Sequence, residues 1–115
     1  MNRVLIAAVT LLSLAGCEHS RHAAGGPYYF ESFATYYRDF HPTKEVSSSG
    51  AEKLQADGYS FYKVWFNEQG RVDKYEKHYK GVIDFQVTYT YRNGKLVEVH
   101  SISPDGKELS QSFSE

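Results

Sequence analysis

Among the side chains able to do chemistry, the chain offers five histidines, one cysteine and a short run of carboxylates. His19 and His22 stand at a spacing that suits two ligands of one metal ion. They share a polar, small-residue stretch with no third ligand beside them, so a solvated linker is the reading that follows, and no metal is expected. Asp73, Glu76 and Asp84 fall within what reads as one hairpin and would give a paired carboxylate for proton transfer. Lys74, Lys77 and Lys80 are interleaved with them, which is the pattern of ion pairs decorating an exposed strand. His78 should lie opposite Ile83 or Asp84 and His100 opposite Val87, two strands apart, so they should not meet. No serine sits in a nucleophile elbow, and no glycine loop that cradles phosphate precedes a helix. No catalytic residue and no cofactor emerges, and the chain reads as a non-enzyme.

The remaining reactive group is the single thiol, Cys17, and its surroundings give it a role. After Arg3, residues 4–14 are apolar or small, and Ala15-Gly16 precedes the cysteine. A run of about eleven residues falls short of the roughly 20 that a membrane-spanning helix needs, but it suits the apolar core of a secretory leader. The run Leu14-Ala15-Gly16-Cys17 resembles the lipobox of bacterial lipoproteins. That resemblance implies removal of residues 1–16, a diacylglyceryl thioether on the Cys17 sulfur and an acyl group on its new amino terminus, and hence attachment to a membrane. Two or three chains anchor stably where one holds only marginally. In Gram-negative members of this family an aspartate after the cysteine retains the protein in the inner membrane. Here Glu18 follows, which implies the periplasmic face of the outer membrane. In a Gram-positive cell the same lipobox would place the domain outside the plasma membrane.

Past the leader, about 99 residues make one domain with one modest core. With Cys17 consumed by lipid no disulfide can form, so packing must supply the stability that small exported domains often take from cross-links. The 10 tyrosines and 7 phenylalanines are the material for it. Net charge is −1 and there is no basic run, which argues against nucleic acid as a partner. Residues 17–28 are polar and small, a composition that buries too little to order itself, and read as a flexible lipidated tether. The single domain is assigned to residues 29–115.

The domain is expected to be α+β: an antiparallel β-meander of about five strands with one N-terminal helix packed on one face. Phe30, Phe33, Tyr37 and Phe40 are spaced by three, four and three, a helical stripe that predicts a helix near 29–40. The stripe should pack on the sheet; a membrane-surface role is the alternative. A loop follows at 46–50, then one or two helical turns over 51–56. From there Gly58, Gly70, Gly81, Gly94 and Gly106 recur every 11 to 13 residues, each in or beside a polar cluster. That rhythm marks hairpin turns, with strands near 59–66, 71–80, 82–91, 95–103 and 108–113. In the third strand Ile83, Phe85, Val87, Tyr89 and Tyr91 alternate with polar residues, so it should be central. A two-residue turn at Asn93-Gly94 would pair Tyr91 with Leu96, Tyr89 with Glu98, Val87 with His100 and Phe85 with Ile102, and set Thr88 against Val99.

Phe66-Asn67-Glu68-Gln69-Gly70-Arg71-Val72, Tyr91-Arg92-Asn93-Gly94-Lys95-Leu96 and Ser103-Pro104-Asp105-Gly106-Lys107-Glu108 share one form: strand end, turn, glycine, basic residue. This resembles the hairpin units of YD-repeat and MORN-like bacterial proteins over residues 59–113, with the copy at Lys80-Gly81 departing from the pattern. The resemblance implies architecture and brings no catalytic residues.

Two functional classes remain. In the first, the tethered domain binds an envelope protein through a tyrosine-rich sheet face, with Tyr62, Trp65, Tyr75, Tyr79, Tyr89 and Tyr91 as candidates, because aromatics give large contact area at low entropic cost. Scaffold, assembly and immunity roles all fit it. In the second, a small ligand or a substrate occupies an aromatic pocket, which demands a concave site. An open face favours the first class and a closed cup of aromatics the second.

Overall fold

The computed structural model describes residues 22–36 and 39–114; the leader at 1–16, Cys17, Glu18 and His19 lie outside the described residues. The elements are β1 (Gly25–Tyr36), β2 (Asp39–Val46), α1 (Ser48–Ala56), β3 (Phe61–Phe66), β4 (Val72–Tyr79), β5 (Val82–Arg92), β6 (Lys95–Ile102) and β7 (Glu108–Ser112). All strands join one antiparallel 7-stranded sheet in the order β2-β1-β3-β4-β5-β6-β7. The fold is α+β with a meander, and β3 to β7 fall close to the strands expected over 59–113. The sheet has more strands than the five expected because the aromatic segment before residue 46 is itself a hairpin.

That hairpin replaces the helix expected at 29–40. The segment is rich in Tyr and Phe, which fit a pleated surface better than a helix. Tertiary burial decides the outcome: Phe30 pairs with Tyr62 across β1 and β3 and is 2% exposed. The helix forms instead over α1, whose Ala, Glu, Lys, Leu and Gln residues favour it. Ser47 caps it, its Oγ accepting from the Gly50 amide at 3.0 Å. At the other end the Tyr59 amide donates to the Leu54 carbonyl and the Gly58 amide to that of Gln55, the paired bonds of a Schellman stop.

The described part of the segment assigned as tether is also ordered by packing. Gly25, Gly26 and Pro27 belong to β1. The His22 ring stacks on Phe66 at 4.4 Å, meets Tyr28 edge-on at 4.8 Å, and bonds Glu45 at 2.9 Å. The ordered domain therefore begins ahead of residue 29, because aromatic rings at this end of the sheet give His22 a place to pack.

The turns between the later strands follow the chemistry of their residues. Asn93 and Gly94, and likewise Lys80 and Gly81, have positive φ, as the two-residue hairpin turn requires. The turns at 67–71 and 103–107 share another scheme: the Asn67 and Ser103 amides donate to the Arg71 and Lys107 carbonyls, and the Gly70 and Gly106 amides return to the Asn67 and Ser103 carbonyls.

Strand register separates two faces. On one, Tyr28, Phe30, Tyr62, Val64, Phe66, Tyr75, Val87 and Tyr89 form the main aromatic core. On the other, α1 packs near Tyr29, Phe61 and His78, burying Ala51 and Phe61. A bulge between Thr90 and Tyr91 corrects the expected β5–β6 pairing. Tyr91 does face Leu96, but Tyr89 faces Val99, Val87 faces Ser101, Thr88 faces His100 and Gln86 faces Ile102. One residue of slip turns Val99 onto the aromatic face and His100 onto the helix-bearing face.

Candidate functional site

A groove of about 640 Å³ opens on the aromatic face over β4 to β7. Tyr75, Phe85, Val87, Tyr89 and Val99 make its floor, while Ser101, Ser103, Lys107, Glu108 and Leu109 form its margin. The floor follows from the register: Tyr75 pairs with Val87, Lys77 with Phe85, and Tyr89 with Val99. Strand alternation brings these side chains to one surface.

One side of this face is walled. Beyond Phe30, β1 pairs with β2 but no longer with β3, and Phe33 lies over the sheet, stacked on Tyr75 at 4.2 Å and 5.7 Å from Tyr62. Tyr75 in turn meets Phe85 and Tyr89 edge-on, both at 6.1 Å. The far side stays open, and Leu109 stands there 74% exposed. The arrangement is a half-walled groove, neither the flat face nor the closed cup.

Its phenols are neutral. Burial, then the neighbouring Tyr62, pushes the Tyr75 hydroxyl up to about 12. Burial, then Tyr75 and Tyr91, holds Tyr89 well above the usual phenol range. These hydroxyls stay protonated at neutral pH. Lys77 lies 5.7 Å from the centre of the Phe85 ring and 3.8 Å from Asp84.

The candidate aromatics do not form one surface. Tyr75 and Tyr89 lie in the groove floor, and Tyr62 lies beside them near Phe33. Tyr91 sits at the other end of the same face, where its hydroxyl donates to the Val72 carbonyl at 2.6 Å and the Arg71 guanidinium lies 4.4 Å over its ring. That guanidinium also donates to the Gly94 carbonyl. Trp65 is on the opposite face with Lys74 4.3 Å over its ring, and Tyr79, 41% exposed, closes β4 beside Lys80. Sequence reasoning missed Phe85, Val87, Val99 and Leu109. Phe85 and Val87 were visible in the alternation of β5; Val99 was hidden by the bulge.

Glu76 and Asp84 find separate partners. Glu76 bonds His78 at 2.9 Å on the helix-bearing face, whereas Asp84 lies by Lys77. On that same face, the two ring nitrogens of His100 contact Ser110 Oγ at 2.7 Å and Glu108 Oε1 at 2.9 Å, tying β7 to β6. Among the described residues, no three of His, Cys, Asp and Glu gather as metal ligands.

Comparison with protein-family models, with curated proteins and with solved structures finds no match to this chain.

Proposed function

We propose that the chain is a lipid-anchored cell-envelope module that binds a partner protein, without catalysis, through the groove on its aromatic face. The observation that carries this reading is an apolar floor left open on one side, with Leu109 exposed at its margin. Exposed apolar surface rimmed by polar groups is the usual mark of a docking site. The Leu14-Ala15-Gly16-Cys17 run supports the anchor, through diacylglyceryl and acyl groups on Cys17, and Glu18 supports the outer membrane of a Gram-negative cell. Only five residue steps separate Cys17 from packed His22. At about 3.5 Å per residue they reach at most roughly 17 Å, so the domain would work close to the bilayer.

A second reading, carriage of a small apolar ligand, is favoured by the groove's size, about 640 Å³, inside the range of roughly 300–1,000 Å³ typical of ligand sites. Purifying the full chain from membranes of its native cell separates the two. A binding module retains one protein near equal stoichiometry. Recovery of no protein, together with a small molecule found by mass spectrometry of the same sample, overturns the first reading in favour of the second.

A further inference from the structure

The groove runs up to an edge of the sheet, and among the described residues that edge is open. β7 pairs with β6 on one side and ends the sheet on the other. At its two ends the Ser103 amide donates to Lys107 O and the Phe113 amide to Val97 O. Antiparallel bonding alternates, so residues 107, 109, 111 and 113 bond inward to β6, and the backbone groups of Glu108, Ser110 and Ser112 point outward.

The two edges differ in their protection. At the opposite edge β2 carries Pro42, which has no amide to donate, and Lys44, whose φ of 62° kinks the strand. Both are devices that discourage strand addition. β7 reads Glu108-Leu109-Ser110-Gln111-Ser112, with no proline, no glycine and no positive φ. The unguarded edge is the one beside the groove.

We infer that β7 is a docking strand: an extended segment of the partner polypeptide adds along it as a further strand and lowers large apolar side chains, at alternate positions, onto the groove floor. This mode rests on the protein-binding reading and specifies its chemistry. Main-chain bonds to residues 108, 110 and 112 supply register, and the groove selects side chains on one face of the added strand. A second copy of the chain fits less well. Pairing of β7 with itself about Ser110 would set Glu108 against Ser112 and Leu109 against Gln111; with Phe113 already packed against its own chain's core, it offers the floor one apolar side chain and one amide. A floor of Tyr75, Phe85, Val87, Tyr89 and Val99 calls for more apolar volume than that.

A displayed library of random octapeptides, selected against the full chain in detergent micelles, tests this. Enriched peptides should alternate large apolar and polar residues. Their affinity should fall about tenfold or more with Ser110→Pro but not with Ser110→Ala: both lose the His100 contact and keep the inward main-chain bonds of β7, and only the proline removes an outward amide. Methylating alternate peptide amides should weaken binding similarly, without any change to the protein. Leu109→Lys should also weaken it. Peptides with helical spacing, or binding indifferent to both Ser110→Pro and amide methylation but lost in Leu109→Lys, would overturn strand addition while leaving the groove as a protein site. No enrichment, or a dimer of the full chain that Ser110→Pro dissolves, would overturn it as well. Should Ser110→Pro unfold β7, the methylated peptides alone decide.

Discussion

The ring of Phe33 lies stacked on that of Tyr75, 4.2 Å between centroids and 29° between planes. This contact joins the β1–β2 hairpin to the centre of the sheet and makes the wall of the groove. Replacing Phe33 with alanine should cost about 2 kcal/mol, below the range for a fully buried phenylalanine because Phe33 is only partly covered. It should also let water reach Tyr75, lowering that phenol from about 12 toward its usual value. Urea unfolding and ultraviolet titration of the phenols check both effects.

Alkali should destabilise the domain in a defined window. Burial raises Tyr75 and Tyr91 to about 12, against 10 in an unfolded chain, and Tyr89 shifts the same way. Between pH 10 and 12 the unfolded chain therefore holds fewer protons than the folded one. Stability then falls as pH rises, and the contribution is intact below pH 10. Melting temperatures should hold level through pH 9 and drop steadily above 10.

Gly26 is held where no side chain fits. A Cβ there would lie 2.7 Å from the Val64 carbonyl oxygen, at the irregularity where β1 meets β3. Gly106 in the last turn has φ +86° but open space around it. Gly106→Ala should cost about 1 kcal/mol for the left-handed backbone alone, and Gly26→Ala clearly more. Denaturant midpoints of the two variants give the comparison.

The helix depends on its first hydrogen bond. Ser47→Ala removes the oxygen that accepts from the Gly50 amide, and should cost about 1 kcal/mol. Ser47→Asp should restore most of it. Thermal unfolding by circular dichroism reads both.

How much of this was legible in the sequence depended on whether a local rule and the tertiary packing agreed. In residues 59–113 they agreed: Asn93-Gly94 and Asp105-Gly106 can turn the chain, the residues between alternate, and the strands fall where the glycines put them. Around Phe30 they conflicted. Its spacing to Phe33, Tyr37 and Phe40 suits a helix, but burial against Tyr62 and Val64 requires a strand, a contact more than thirty residues distant in sequence. His22 was unreadable for the same reason, since its partners Phe66 and Glu45 are brought to it only by the sheet. Within the groove, Tyr75 and Tyr89 could be singled out as aromatics. Val99 could not be placed, because a single bulge beside Tyr91 decides which face it joins.

The groove as a protein-docking site is tested most directly by photo-cross-linking in native membranes, with a photoreactive residue placed at Leu109 on the groove margin or at Thr88 on the opposite face. Both positions are exposed, so the fold should tolerate either. Leu109 should capture one protein as a discrete product, and Thr88 should not. Equal capture from both faces, or none from Leu109, would contradict the account.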